Sequence, residues 1–275
     1  MTKYAILIGI NYNNNYELRL RGCINDIINI NNLLIDAYGY KKENIIQLRD
    51  DNIGINPTKE NIEKILEYYL DKLKINDELW IHYSGHGSYI YDNNNDEIDN
   101  RDEVLIPVDI KTNGYINDDY LYKLLNNSKC KIYLTMDCCH SGTLWDLPYL
   151  YNRYNNRIYR FRTNKPLRNK NIFMLSGSRD NQYSYDSFNT EQQIPMGAFT
   201  KGLIYCIREN NHNCNLLYLK DDINIYLKKN NYSQTSQYTS SNDNPNIYLT
   251  RVGLQNNEKT EKIINNNMIS IIYRR

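Results

Sequence analysis

Two short segments hold residue types that could do nucleophilic chemistry: Tyr83-Ser84-Gly85-His86-Gly87 and Asp137-Cys138-Cys139-His140-Ser141-Gly142. Each closes an apolar run that reads as a buried strand, Glu78–His82 before the first and Lys131–Met136 before the second. Polar, glycine-containing turns at the carboxyl ends of strands are where open α/β sheets place ligands and reacting groups. A histidine on one turn and a cysteine on the other, roughly 50 residues apart, suit a thiol nucleophile and its base. A thiolate attacks a carbonyl and a thiol barely does, so the cysteine needs a group to take its proton. His86 can take it and later return it to the leaving amine. Gly85 and Gly87 leave room for a substrate backbone, and the N–H groups of Gly87 and Cys139 are candidate oxyanion donors.

Plainer readings compete with this one. A lone histidine or a buried cysteine is more often structural, but two matched glycine-flanked turns weaken that alternative. A zinc site from His86, Cys138, Cys139 and His140 is disfavoured, because adjacent ligands do not easily close a tetrahedron and no Cys-x-x-Cys spacing is present.

Elements able to position the two turns alternate along the chain. Strands are expected at Tyr4–Ile10, Asn44–Leu48, Leu79–Tyr83, Ile132–Met136 and Ile172–Ser176, with shorter extended pieces at Glu103–Pro107 and Asn246–Thr250. Helices are expected at Asn25–Ala37, from Pro57 to Leu73 with Thr58 as N-cap, and at Asp118–Leu125, Ala198–Asn210 and Leu219–Lys229. This alternation predicts an α/β fold with a mostly parallel central sheet covered by helices on both faces. Residues 151–170 break the pattern. They are basic and read as an irregular linker loop between a larger N-terminal part (1–150) and a smaller part (171–252). Residues 253–275 have no readable role.

A chain of 275 residues has ample length for a core, and a formal net charge of +1 favours neither nucleic acid nor an acidic partner. The first apolar run is too short to cross a membrane and lacks signal-peptide flanks. The six cysteines are therefore expected to be reduced thiols in a cytoplasmic protein. A nucleotide-binding, flavodoxin-like domain would share the sheet pattern. It is disfavoured because Asn11-Tyr12-Asn13-Asn14-Asn15, not a glycine-rich phosphate loop, follows the first strand.

The two turns resemble the catalytic motifs of the metacaspases, relatives of the caspases. The resemblance extends through Tyr4–Tyr12, Leu20–Asp26, Ile106–Asp109 and Ser176–Gln182 and covers most of the chain to about residue 250. The caspase-type Gln-Ala-Cys-x-Gly signature is absent. The resemblance implies a caspase-like fold, a type I-like core without a prodomain, and a monomer. It makes Cys139 the nucleophile, since the family places that residue immediately before His-Ser-Gly, and His86 the base. It also implies protein or peptide substrates with Arg or Lys at the cleaved position, bound by Asp26 and Asp137 with Ser84 and Cys23 nearby. Buried carboxylates are what a desolvated guanidinium or ammonium requires. As ordinary residues, Asp26 would be a helix cap and Asp137 a strand-end polar group.

The family's calcium-binding aspartates correspond to Asp102, Asp118, Asp119 and Asp146, so calcium is the implied cofactor; without the resemblance these would read as solvated acidic loops. Asp92, Asn94, Asp96 and Glu103 mimic EF-hand spacing, but Glu97 stands where that loop needs glycine. An enzyme cutting after Arg or Lys could cut itself within 151–170. The alternative in another class is a catalytically silent caspase-like scaffold or regulatory binding protein, disfavoured by the retained His86 and Cys139.

Overall fold

Apolar runs of five to seven residues set the centre of the molecule. A computed structural model describes residues 1–91, 101–139, 144–154, 157–162, 166–177, 186–189, 194–252 and 270–273. Its strands are β1 Lys3–Gly9, β2 Ile45–Arg49, β3 Glu78–Ser84, β4 Gly87–Tyr91, β5 Arg101–Leu105, β6 Ile116–Asn117, β7 Lys131–Asp137, β8 Tyr149–Tyr154, β9 Arg157–Arg162, β10 Ile172–Ser176, β11 Asp186–Asn189, β12 Ile194–Gly197, β13 Asn213–Asn215, β14 Gln237–Ser240, β15 Tyr248–Thr250 and β16 Ser270–Tyr273. Its helices are α1 Cys23–Tyr38, α2 Lys59–Lys72, α3 Ile110–Asn113, α4 Asp118–Asn127, α5 Ala198–Glu209 and α6 Leu216–Lys229.

Among the described residues the central sheet has nine strands, in the order β16-β9-β8-β14-β10-β7-β3-β1-β2. The five expected strands β2, β1, β3, β7 and β10 pair in parallel. Both faces of such strands are covered, so their sequences are mostly apolar instead of alternating. Trp80 and Tyr133 point to one face, packed with residues of α1, α5 and α6. Leu79, Ile81 and Tyr83 point to the other, packed with residues of α2 and α4. Thr58 caps α2 as expected, accepting from the Asn61 N–H at 3.3 Å. No helix among the described residues is long and apolar enough to cross a membrane, and no disulfide joins the cysteines.

The stretch 151–170 departs from the sequence expectation. Instead of a wholly irregular loop, it contributes the hairpin β8–β9, registered from Tyr149↔Arg162 to Tyr154↔Arg157. Tyr151 and Ile158 are buried, and Arg153 pairs with Asp221 at 2.8 Å. Within Arg157-Ile158-Tyr159-Arg160 the apolar Ile158 turns inward, and Arg160 follows on the same face opposite the buried Tyr151. Pairing of β8 with β14 then extends the sheet antiparallel beyond β10. Irregular chain within this stretch is confined, among the described residues, to positions from Pro166 onward. The C-terminal run also gains a place, because β16 pairs in parallel with β9 at the sheet edge. The EF-hand-like positions Asp92, Asn94, Asp96 and Glu97 lie outside the described residues.

One buried polar cluster is part of the scaffold. The Thr135 hydroxyl lies 3.0 Å from the Trp80 indole nitrogen and 2.9 Å from His82 Nδ1. His82 is fully buried and its Nε2 has no hydrogen-bond partner. Burial pulls its pKa down to about 3 from 6.5. Above pH 6.5 the imidazole is neutral in both folded and unfolded chains. As pH falls from there, only the unfolded chain takes up the proton, so stability is lost by up to about 1.4 kcal/mol per pH unit. A His82→Leu variant is therefore expected to lose less Tm than the wild type between neutral and mildly acidic pH, by scanning calorimetry. Equal acid slopes would contradict the assignment.

Candidate active site

The register of β3 on β7 brings the two turns together. It places Ser84 opposite Asp137, so both strands end at one level and both turns leave side by side. The Gly85 N–H reaches the Asp137 carbonyl at 3.4 Å. A Cβ at Gly87 would stand 2.2 Å from the Cys139 carbonyl oxygen and 3.3 Å from Cys138 Sγ, so only glycine allows this approach. Cys138 is buried, whereas Cys139 and His86 are partly exposed. The residues His140, Ser141 and Gly142 of the second motif lie outside the described residues, as do 178–182.

His86 is held at four points. Its N–H donates to the Tyr12 hydroxyl at 2.9 Å, and that hydroxyl donates to the Ile106 carbonyl at 2.7 Å. Its carbonyl accepts from the Tyr83 hydroxyl at 2.8 Å and from the Ile106 N–H at 3.2 Å. Both tyrosines are fully buried, which pushes their hydroxyl pKa values up and keeps them protonated. The Tyr12 ring also lies 4.9 Å from the imidazole. His86 Nε2 is 2.8 Å from the Leu18 carbonyl oxygen. A carbonyl only accepts, so the proton sits on Nε2 and Nδ1 carries the lone pair of a base. Neither tyrosine nor Leu18 stood out from residue types. Tyr83 adjoins the histidine turn in sequence, but the approach of Tyr12 and Leu18 is purely tertiary.

The two expected pocket carboxylates converge on the opposite face. Asp26 is fully buried in the first turn of α1, where its Oδ2 accepts from Ser84 Oγ at 2.6 Å and its Oδ1 from the Gly197 N–H at 2.9 Å. Asp137 Oδ2 accepts from the N–H of Thr200 at 2.9 Å and from its hydroxyl at 2.7 Å. Carboxylates at the start of α5 are favoured by its unsatisfied N–H groups and dipole. A Cβ at Gly197 would lie 2.1 Å from Asp137 Oδ2 and 2.8 Å from Asp26 Oδ2. Both anions therefore crowd one glycine, a juxtaposition that residue types did not reveal. Ser84 belongs with them. Cys23 is buried, in the neighbourhood of Tyr12 and Tyr83.

Of the expected calcium ligands, Asp102, Asp118 and Asp146 are buried and Asp119 is partly exposed. Asp118 accepts from the N–H groups of Glu103 and Asp119, both at 2.8 Å. Burial pushes its carboxyl up to about 6, and the charge of neighbouring Asp102 adds to the shift. The Asp102–Asp118 pair thus has the charge a hard cation would neutralise. The four aspartates are not assembled into one shell: no group of three or more His, Cys, Asp or Glu side chains among the described residues is arranged to hold a metal ion.

Known proteins share both the motifs and the architecture. The metacaspase peptidase C14 domain matches residues 3–148, more than half of the chain. Metacaspase-1 of Eremothecium gossypii is 45% identical over 154 residues, covering 54% of this chain and 34% of that protein. Metacaspase-1A of Neurospora crassa is 44% identical over 153 residues, with the same coverages. The matched stretch thus spans about a third of the length of these relatives. Among solved structures, a protein from Geobacter sulfurreducens superimposes with a TM-score of 0.63 at 20% identity, over 89% of this chain and 95% of that one. Caspase-1 from Spodoptera frugiperda superimposes with a TM-score of 0.59 at 13% identity, over 88% and 89%. The expected caspase-like α/β sandwich is therefore the observed fold.

The crowding at Gly197 is open to a direct check. Gly197→Ala is expected to lower stability by about 1–3 kcal/mol through overpacking against two fixed carboxylates. Denaturant titration measures this. An unchanged midpoint would mean that the carboxylates are loosely held.

Proposed function

The chain belongs to the metacaspase peptidase C14 family, and on that premise we propose that it is a cysteine endopeptidase cutting peptide bonds after arginine or lysine. The observation that carries the reading is the Nε2–H bond from His86 to the Leu18 carbonyl. It leaves Nδ1 as the proton acceptor of a turn that touches the cysteine turn. His86 Nδ1 takes the Cys139 thiol proton, and the sulfur attacks the scissile carbonyl carbon. The tetrahedral oxyanion takes hydrogen bonds from the N–H groups of Gly87 and Cys139. His86 returns the proton to the departing amine, leaving a thioester on Cys139. Water, deprotonated by the same imidazole, then releases the acid and restores the thiol.

The preference for a basic residue rests on Asp26 and Asp137. Two buried carboxylates converging on one backbone position repel each other, and a guanidinium or ammonium between them relieves that repulsion. Ser84 holds Asp26 in place, and Cys23, in the first turn of the same helix, is assigned to the same pocket. Self-cleavage belongs to the same reading. Arg153 and Arg160 are committed to β8 and β9, so the exposed Arg168 and Lys170 are the stronger candidates. A calcium ion would remove like-charge repulsion at the buried Asp102–Asp118 pair, and Asp119 and Asp146, not assembled with that pair here, would have to close on it to serve as further ligands. Reduced thiols, as in the cytoplasm, and a monomeric state complete the proposal.

Reporter peptides ending in Arg, Lys or Asp before the scissile bond test the reading. Basic reporters are expected to be cut at least a hundredfold faster than the acidic one, as the cost of leaving buried carboxylates unpaired suggests (on the order of 3 kcal/mol). Cys139→Ala is expected to abolish cleavage, and Asp26→Ala to lose the discrimination. A silent wild type would favour the scaffold. A calcium titration of the same assay is expected to raise the rate, and indifference to a chelator would remove calcium from the reading.

A further inference from the structure

A cleft of about 600 Å³ opens beside His86, between the turn carrying Tyr12, Tyr16 and Glu17 and the turn carrying Val108, Asp109 and Lys111. This volume lies in the range of specific ligand sites. Two contacts tie it to the reaction centre. Tyr12 lines it and supports the His86 backbone and ring. Glu17 lines it and precedes Leu18, whose carbonyl orients the imidazole. The cleft therefore lies next to the group that protonates the leaving amine. Tyr12 packs in the α2/α4 layer. The carboxylates that take the residue before the cut instead lie by α1 and α5.

We propose that this cleft binds the part of the substrate that follows the scissile bond and prefers a large apolar side chain there. The inference rests on the peptidase reading. A chain whose basic residue enters the Asp26–Asp137 side must leave past the proton donor, and this cleft is joined to that donor through Tyr12 and the Glu17–Leu18 segment. The choice of an apolar side chain follows from how the lining groups are already used. Asp109 accepts from the Lys59 N–H at 2.9 Å and from Asn113 Nδ2 at 2.6 Å. Glu17 and Lys111 pair with each other at 3.4 Å. Glu17 and Lys111 thus offset each other and the Asp109 carboxylate is taken up by two hydrogen bonds, whereas Tyr16 is 91% exposed, more than any other large apolar or aromatic side chain among the described residues. Tyr16 remains as unused apolar surface beside the partly buried Val108. A large side chain laid against them would recover part of the burial that the fold does not provide.

Three peptides with the same basic residue test this. One ends in an amide dye immediately after it, and two are internally quenched and continue with Phe or with Gly at the first two positions after the cut. Wild type is expected to cut the Phe peptide about tenfold faster than the Gly peptide in kcat/KM, the factor that burying one large apolar side chain supports. Tyr16→Ala and, separately, Val108→Glu are expected to shrink that ratio toward one. Because Tyr16 makes almost no buried contact, its loss leaves the fold intact. A Phe to Gly ratio near one in wild type overturns the subsite while cleavage of the dye amide upholds the peptidase. A ratio preserved in both variants moves the preference to another surface and overturns the assignment as well. If wild type cuts none of the three peptides, the peptidase reading fails and the subsite falls with it.

Discussion

The parallel pairing of β3 with β7 is the constraint on which the rest depends. A shift of the Ser84↔Asp137 register by one residue would turn every following side chain to the opposite face. Tyr83 would leave the layer where its hydroxyl meets the His86 carbonyl, and Ser84 would leave Asp26. Trp80, His82 and Thr135 fix that register from within, because their side chains bond across the same pair of strands. A buried polar cluster is costly unless satisfied, and here it also specifies which residues end up at the sheet's edge.

From that edge the chemistry divides between the two faces. The tyrosine side supports the imidazole through its backbone and sets its tautomer, while the α5 side gathers the carboxylates under helix N–H groups. Gly87 and Gly197 mark the two closest approaches, one between turns and one between anions. These glycines act by what they leave out: a side chain at either position would occupy space already held by an oxygen. His86 and Cys139 stand between, partly exposed, on turns that leave the strands.

Much of this was legible in the sequence because it is written in local patterns. The five parallel strands are predominantly apolar runs, the helices carry caps such as Thr58, and the two motif turns combine residue types that seldom serve structure alone. What escaped was written in other ways. In β8 and β9 the buried Tyr151 and Ile158 share a face with Arg153 and Arg160, and those charges masked the strands. β14, Gln237-Tyr238-Thr239-Ser240, is too short and polar to stand out by itself, and β8 and β10 supply its partners. Tyr12 and Leu18 reach His86 from 74 and 68 residues away, a relation that only the closed fold creates. The convergence of Asp26 and Asp137 on Gly197 likewise joins three distant segments.

The central claim is that His86 and Cys139 act as base and nucleophile beside a pocket for a basic side chain. Intact mass measurement after exposure to an arginine-based electrophile, with peptide mapping of the adduct, addresses it most directly. A single adduct on Cys139, absent from Cys139→Ala, slowed strongly in His86→Ala and not formed with the aspartate-based analogue, is the predicted result. An adduct on Cys138, or labelling indifferent to His86 and to the charge of the reagent, would contradict the account.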